Sequence, residues 1–131
     1  MRNREQLEEL YKKYELTKEH VFKHQHYIII TRAGIEKVQA LAGIDVRYEV
    51  VTSEPNFAGI KAITNYGGKT IETFGSAYKG ASFKDGNTNS WYVLEMAEKR
   101  AMSRAVLKAT GMYKLGFMGE EESEDFKRKS N

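Results

Sequence analysis

The chain of 131 residues has no cysteine, one proline and one tryptophan, and no apolar run approaches the roughly 18 residues of a membrane span. Without cysteine there can be no disulfide and no thiolate metal site, which is compatible with a reducing cytosol. The opening MRNREQLEEL lacks the apolar stretch of a signal peptide, so a cytoplasmic protein is expected. Also missing are a G-x-x-x-x-G-K-[ST] phosphate loop, a nucleophile with a recognisable base motif, and a spaced acidic set for two-metal nuclease chemistry. Neither an enzyme nor a cofactor is expected. His20, His24 and His26 come nearest to a metal cluster, but no carboxylate or cysteine beside them completes a site.

What is present is a chain 40% hydrophobic and 30% charged, of a length that suits one domain with one core. The net charge of +3 hides a distribution. Residues 20–118 hold 13 bases and 8 acids, whereas the end segment GEEESEDFKRKSN opens with a run of glutamates. A modestly basic body with an acidic tail is consistent with a polyanionic partner. The expected division is an amphipathic N-terminal helix in 1–19, a single α+β domain over 20–118, and an acidic disordered tail from 119 to 131.

Leu7, Leu10, Tyr11 and Tyr14 recur at helical spacing, so a short helix opens the chain. HYIII (26–30) reads as a compact strand. TRAGIEKVQALAG (31–43) follows as a second helix, with Thr31 as its cap, Ile35, Val38, Leu41 and Ala42 on one face, and Gly43 as its stop. The period then changes. DVRYEVVT (45–52), FAGIKAITNY (57–66) and KTIETFGSAY (69–78) alternate, with SEPN as one turn and Gly67-Gly68 as a hairpin signal. Three antiparallel strands in a meander are expected. A polar loop, KGASFKDGNTNS, leads to a long helix from Trp91 to Thr110, capped by Ser90 or Asn89, after which MYKLGFMG folds back on the body. The predicted class is α+β: a three-stranded antiparallel meander, a long C-terminal helix packed on it, and one or two N-terminal helices.

Within that last helix, Ala97, Ala101, Ala105 and Ala109 form a seam of small residues, and Arg100, Arg104 and Lys108 recur at the same four-residue step beside it. Small alanines allow close approach to a sheet, so cations at the margin would form the wall of a groove able to hold phosphates. The competing reading is a solvated amphipathic face whose stems cover apolar surface. The preceding loop interleaves Lys79 and Lys84 with Tyr78, Phe83, Trp91 and Tyr92. Aromatic faces stack on unpaired bases while lysines follow the backbone, although the same rings also suit the edge of a core. The acidic tail is a solubilising end, or a docking segment for a basic pocket on a partner such as an exonuclease or replication protein.

Three passages, YIIITRAGIEKVQALAG, the meander from Asp45 to Tyr78, and SWYVLEMAEKRAMSRAVLKATGMYKLG, together resemble the single-strand annealing proteins, a superfamily that includes phage recombinases of the Sak, Erf and RecT types and the eukaryotic Rad-fifty-two protein. The resemblance covers about residues 27 to 116. It implies a helix laid on a three-stranded sheet with single-stranded DNA held by its phosphates in a basic groove. Carried over by position, the family's backbone-gripping cations fall on Arg104 and Lys108, and a further one near Arg32. Another family base aligns with Ala105, so the grip is differently arranged here. Such proteins need no ATP, anneal complementary strands, and assemble as homo-oligomeric rings or filaments. Open sheet edges would support assembly, since head-to-tail pairing gives a ring if it closes and a filament if it does not.

Two other functions fit the order of elements. A double-stranded RNA module shares it, but places lysines at the start of its last helix, where this chain has Ser90-Trp91-Tyr92-Val93-Leu94. A protein-interaction module using the sheet edge and the acidic tail is the other.

Overall fold

The computed structural model describes residues 2–80, 86, 88 and 92–122. In chain order the elements are α1 (Arg2–Lys13), β1 (Val21–His24), β2 (Tyr27–Ile30), α2 (Arg32–Ala42), β3 (Asp45–Glu54), β4 (Phe57–Tyr66), β5 (Lys69–Tyr78), α3 (Val93–Thr110), a 3₁₀ turn (Met112–Leu115) and β6 (Phe117–Gly119). The fold is α+β, with the long helix α3 packed on the meander. Among the described residues, no helix is long and apolar enough to cross a membrane.

The meander has the order β3-β4-β5, and its registers follow from its turns. Gly67 and Gly68 take φ of 60° and 77°. This is the left-handed pair that a two-residue hairpin needs and that glycine adopts without a Cβ clash. Their flanks, Tyr66 and Lys69, pair directly, and the ladder then runs unbroken to Phe57 opposite Tyr78. Between β3 and β4 the register slips once, between Val50 and Thr52.

Ala58, Ile60, Ala62 and Ala77 of the sheet meet Val93, Ala97, Ala101 and Ala105 of α3 in one core cluster. The alanine seam therefore does what its small side chains permit. Gly75 marks the closest approach: a Cβ there would collide with the backbone at Ala97 and Ala101. Thr73 Oγ1, on the same face, donates to the Ala101 carbonyl at 3.0 Å.

A second sheet, β1-β2-β6, stands beside the single meander that the sequence predicts. β1 and β2 are antiparallel and β6 runs parallel to β2. With α1 and α2, this sheet buries the C-terminal half of α3 in a larger core that includes Tyr14, Ile28, Ile30, Ile35, Val38, Met102, Val106, Leu107, Met112 and Phe117. Helix α3 is thus central, with the meander on one side and this second layer on the other. Both expected caps of α2 are present: the Thr31 side chain accepts from Gly34 N, and Gly43 closes the helix at φ 68°. Ser90 and Asn89, expected to cap α3, lie outside the described residues, as does Trp91.

Candidate nucleic-acid interface

The three-cation stripe of α3 does not form one open wall. Arg100 is 2% exposed, so it belongs to the interior and corrects the expectation of a solvent-facing groove residue. Its Nη1 donates to the Ser76 carbonyl at 3.0 Å. One turn on, Arg104 Nη1 donates to the Phe74 carbonyl at 2.9 Å, and its Nε lies 3.6 Å from a Glu122 carboxylate oxygen. Lys108, a further turn on, is exposed and makes no ion pair among the described residues.

The physical reason lies in the ladder. In a two-residue hairpin the flanking pair exchanges both backbone hydrogen bonds, and bonded and non-bonded pairs then alternate. Starting from Tyr66 opposite Lys69, the bonded pairs are those of Ile71, Thr73, Gly75 and Ala77. The carbonyls of Phe74, Ser76 and Tyr78 point away from β4, along the open edge of β5. All three are engaged: by Arg104, by Arg100, and by Thr88 N at 3.3 Å. Because Gly75 lets α3 sit close over β5, the arginine stems reach past the strand and their guanidinium groups close its edge. An arginine bound to a carbonyl is a charge-assisted contact of about 1.5–3 kcal/mol.

The remaining expected cations are dispersed. Arg32 stands at the first turn of α2, with Nε 3.2 Å from Glu36 and Nη1 3.4 Å from the Lys99 carbonyl. It therefore contacts α3 at Lys99, and among the described residues no hydrogen bond or ion pair brings it together with Arg104. Lys79 directly follows β5; its backbone N–H donates to Asn56 O at 2.7 Å and it bridges to Thr88. Lys84, Phe83 and Trp91 lie outside the described residues. His20 accepts the Thr17 N–H through Nδ1 at 2.9 Å, His24 ends β1 and His26 sits in the turn after it. No metal-holding group occurs among the described residues.

The acidic segment begins in contact with the body, which revises the expectation of a free tail from residue 119. Residues 120–122 form a helical turn. Glu120 accepts the Arg32 backbone N–H at 2.7 Å, an anion at the N-terminus of α2. Glu121 is buried and accepts from Ser103 Oγ at 2.7 Å. Burial holds its carboxyl above the usual carboxylate range, an effect that the Ser103 hydrogen bond opposes. Glu122 takes the Tyr113 hydroxyl at 3.0 Å and faces Arg104. Burial, then the charge of Glu122, raises the Tyr113 phenol far above its ordinary value.

What the edge of β5 adds is aromatic surface. Phe74 is 55% exposed on the outer sheet face, and further along the strand Tyr78 is exposed with its ring edge-on to Phe57, centroids 6.3 Å apart. A cleft of about 180 Å³ opens over Gly59, lined by Val51, Phe74, Ser76 and the arriving Arg104. Strand alternation in the sequence places Phe74 on the solvent side with Glu72, so this ring was discernible; the pairing of Glu122 with Arg104 carried no sequence signal. One cation and two accessible rings along one strand can take a phosphate and unstacked bases. No family model matches the chain, and no curated protein or solved structure does.

Proposed function

We propose that the chain binds single-stranded DNA and promotes ATP-independent annealing of complementary strands, as in phage or mobile-element recombination. The observation that supports this most is the alignment on β5 of the Arg104 guanidinium with the exposed rings of Phe74 and Tyr78, and of Lys79 at the strand's end. Lys108 extends the cationic line along α3. Phosphates meet the cations while bases rest on ring faces, which leaves their pairing edges open to a second strand. Stacking and pairing in the new duplex then supply the free energy, and no nucleotide hydrolysis is needed. A phosphate arriving at Arg104 displaces Glu122, so the acidic turn is a built-in competitor for the same guanidinium.

A labelled oligo-dT titration with duplex RNA as competitor tests the reading. With about three phosphates held per chain, at Arg104, Lys79 and Lys108, the logarithm of affinity falls with the logarithm of salt at a slope near −2. Replacing Arg104→Ala together with Lys108→Ala lowers the affinity at least tenfold while the circular dichroism spectrum is kept. Unchanged binding by that double variant, or displacement by duplex RNA but not by single strands, overturns the assignment.

A further inference from the structure

The opposite edge of the meander is open. The ladder that turns Phe74, Ser76 and Tyr78 outward on β5 turns Asn65, Ile63 and Lys61 of β4 toward β3, where they pair with Asp45, Arg47 and Glu49. The backbone groups of Val46, Tyr48 and Val50 therefore face away from the sheet. Among the described residues none of them receives a hydrogen bond across this edge. Toward the far end of this edge the side chains are uncovered as well: Val50 is 57% and Val51 60% exposed, whereas Val46 is partly buried against both cores.

We propose that β3 pairs with β3 of a second copy, antiparallel and two-fold symmetric about Tyr48. Outward-facing residues must meet outward-facing residues, and engaging at least two of Val46, Tyr48 and Val50 on each strand leaves three self-registers. A register centred on Arg47 sets Arg47 against its own copy, and one centred on Glu49 does the same for two carboxylates. Like charges directly opposite are unfavourable in both. Centring on Tyr48 sets Arg47 against the partner's Glu49, twice by symmetry, and Val46 against the partner's Val50. These Arg–Glu positions are the non-hydrogen-bonded ones, where side chains come closest. Arg47 has no ion pair among the described residues and is available, while Glu49 already draws Lys61 to 3.6 Å. The slip after Val50 ends the regular edge, so pairing stops there.

Head-to-tail pairing of β3 with β5 is disfavoured, because Arg100, Arg104 and Thr88 already occupy the β5 carbonyls. The assembly therefore closes as a dimer with a continuous six-stranded sheet. Five strand steps of about 4.8 Å put its two β5 edges about 24 Å apart, each free to hold one strand. This pairing does not depend on DNA binding.

Light scattering of the full chain is expected to give twice the 15.0 kDa chain mass. Arg47→Glu weakens the dimer at least tenfold, and so does Glu49→Arg. The double exchange, Arg47→Glu with Glu49→Arg, restores it. Since the chain has no cysteine, Tyr48→Cys gives a single thiol; paired Cα atoms about 5.5 Å apart lie within disulfide range, and oxidation cross-links the dimer. A monomer at every concentration, a dimer indifferent to either single charge reversal, or a folded double exchange that stays monomeric overturns the pairing. Oligo-dT titration of the same variants is read separately: loss of the dimer with retained binding leaves the DNA reading standing.

Discussion

The two edges of one sheet end in opposite ways. On β5, three successive outward carbonyls are bound by Arg104, Arg100 and the Thr88 amide. On β3, the equivalent positions carry valines and a tyrosine with nothing bonded to them among the described residues. Composition does not account for the contrast, since both strands mix charged and apolar residues. The placement of α3 does. A helix seated close over one edge strand can reach around it with long side chains, and in doing so leaves the other edge bare. Unpaired edges invite pairing, and proteins close them with charge, bulges or cover. Here arginine side chains supply the closure on one side, while on the other the proposed pairing would be selected by a register-specific pair of charges.

The contrast breaks most completely at Gly75. Gly75→Ala places a methyl group into the backbone of α3 at Ala97 and Ala101. The helix must lift from β5, and both arginines lose their reach. Overpacking of this kind against backbone costs about 3 kcal/mol or more, read as a fall in the denaturant midpoint at unchanged slope. A neutral outcome shows that α3 is free to shift, and that its offset is not fixed by that contact.

Next in size is Arg100→Ala. It removes a buried guanidinium and leaves the Ser76 carbonyl without its arginine, a loss of about 2 kcal/mol. More telling is its second readout: with β5 partly unsealed, light scattering finds species larger than a dimer that grow with concentration. If the variant destabilises without any new association, sealing is not what keeps β5 from pairing.

Much of this frame could be read from the sequence. The meander was legible because Gly67-Gly68 and the alternation of three strands are local signals, and α2 because Thr31 and Gly43 bracket it. β1 and β6 were not, since Val21–His24 is short with no buried residue, and the three-residue Phe117–Gly119 finds its strand partner far away in the sequence. Arg100 misled for a different reason. Cations at four-residue spacing read as a solvated stripe, and burial depends on how closely the helix sits, which spacing does not encode. The one available hint was Gly75, because glycine inside a strand often marks a backbone approaching closely. Likewise a run of glutamates reads as a solvated tail, although Glu120, Glu121 and Glu122 each have a partner on the body.

The smallest effect sharpens the comparison through that run. Glu121 is buried against Ser103, and burial raises its pKa above the ordinary carboxylate value, with the charge of Glu120 adding to the rise and that of Arg32 opposing it. A carboxyl raised on folding contributes stability below its unfolded pKa, and that contribution is lost as pH rises through the folded value. At neutral pH the ionised group therefore costs stability. Glu121→Gln keeps an oxygen for the Ser103 hydroxyl and removes the charge, so the melting temperature at pH 7 rises by about 2–4 °C. The gain fades as the pH is lowered through the carboxylate range. A steadier turn holds Glu122 more firmly on Arg104, so oligo-dT binding weakens slightly, while dimerisation through β3 does not change. Equal shifts at both edges would mean that the two are coupled through the sheet and not set separately by where the helix lies.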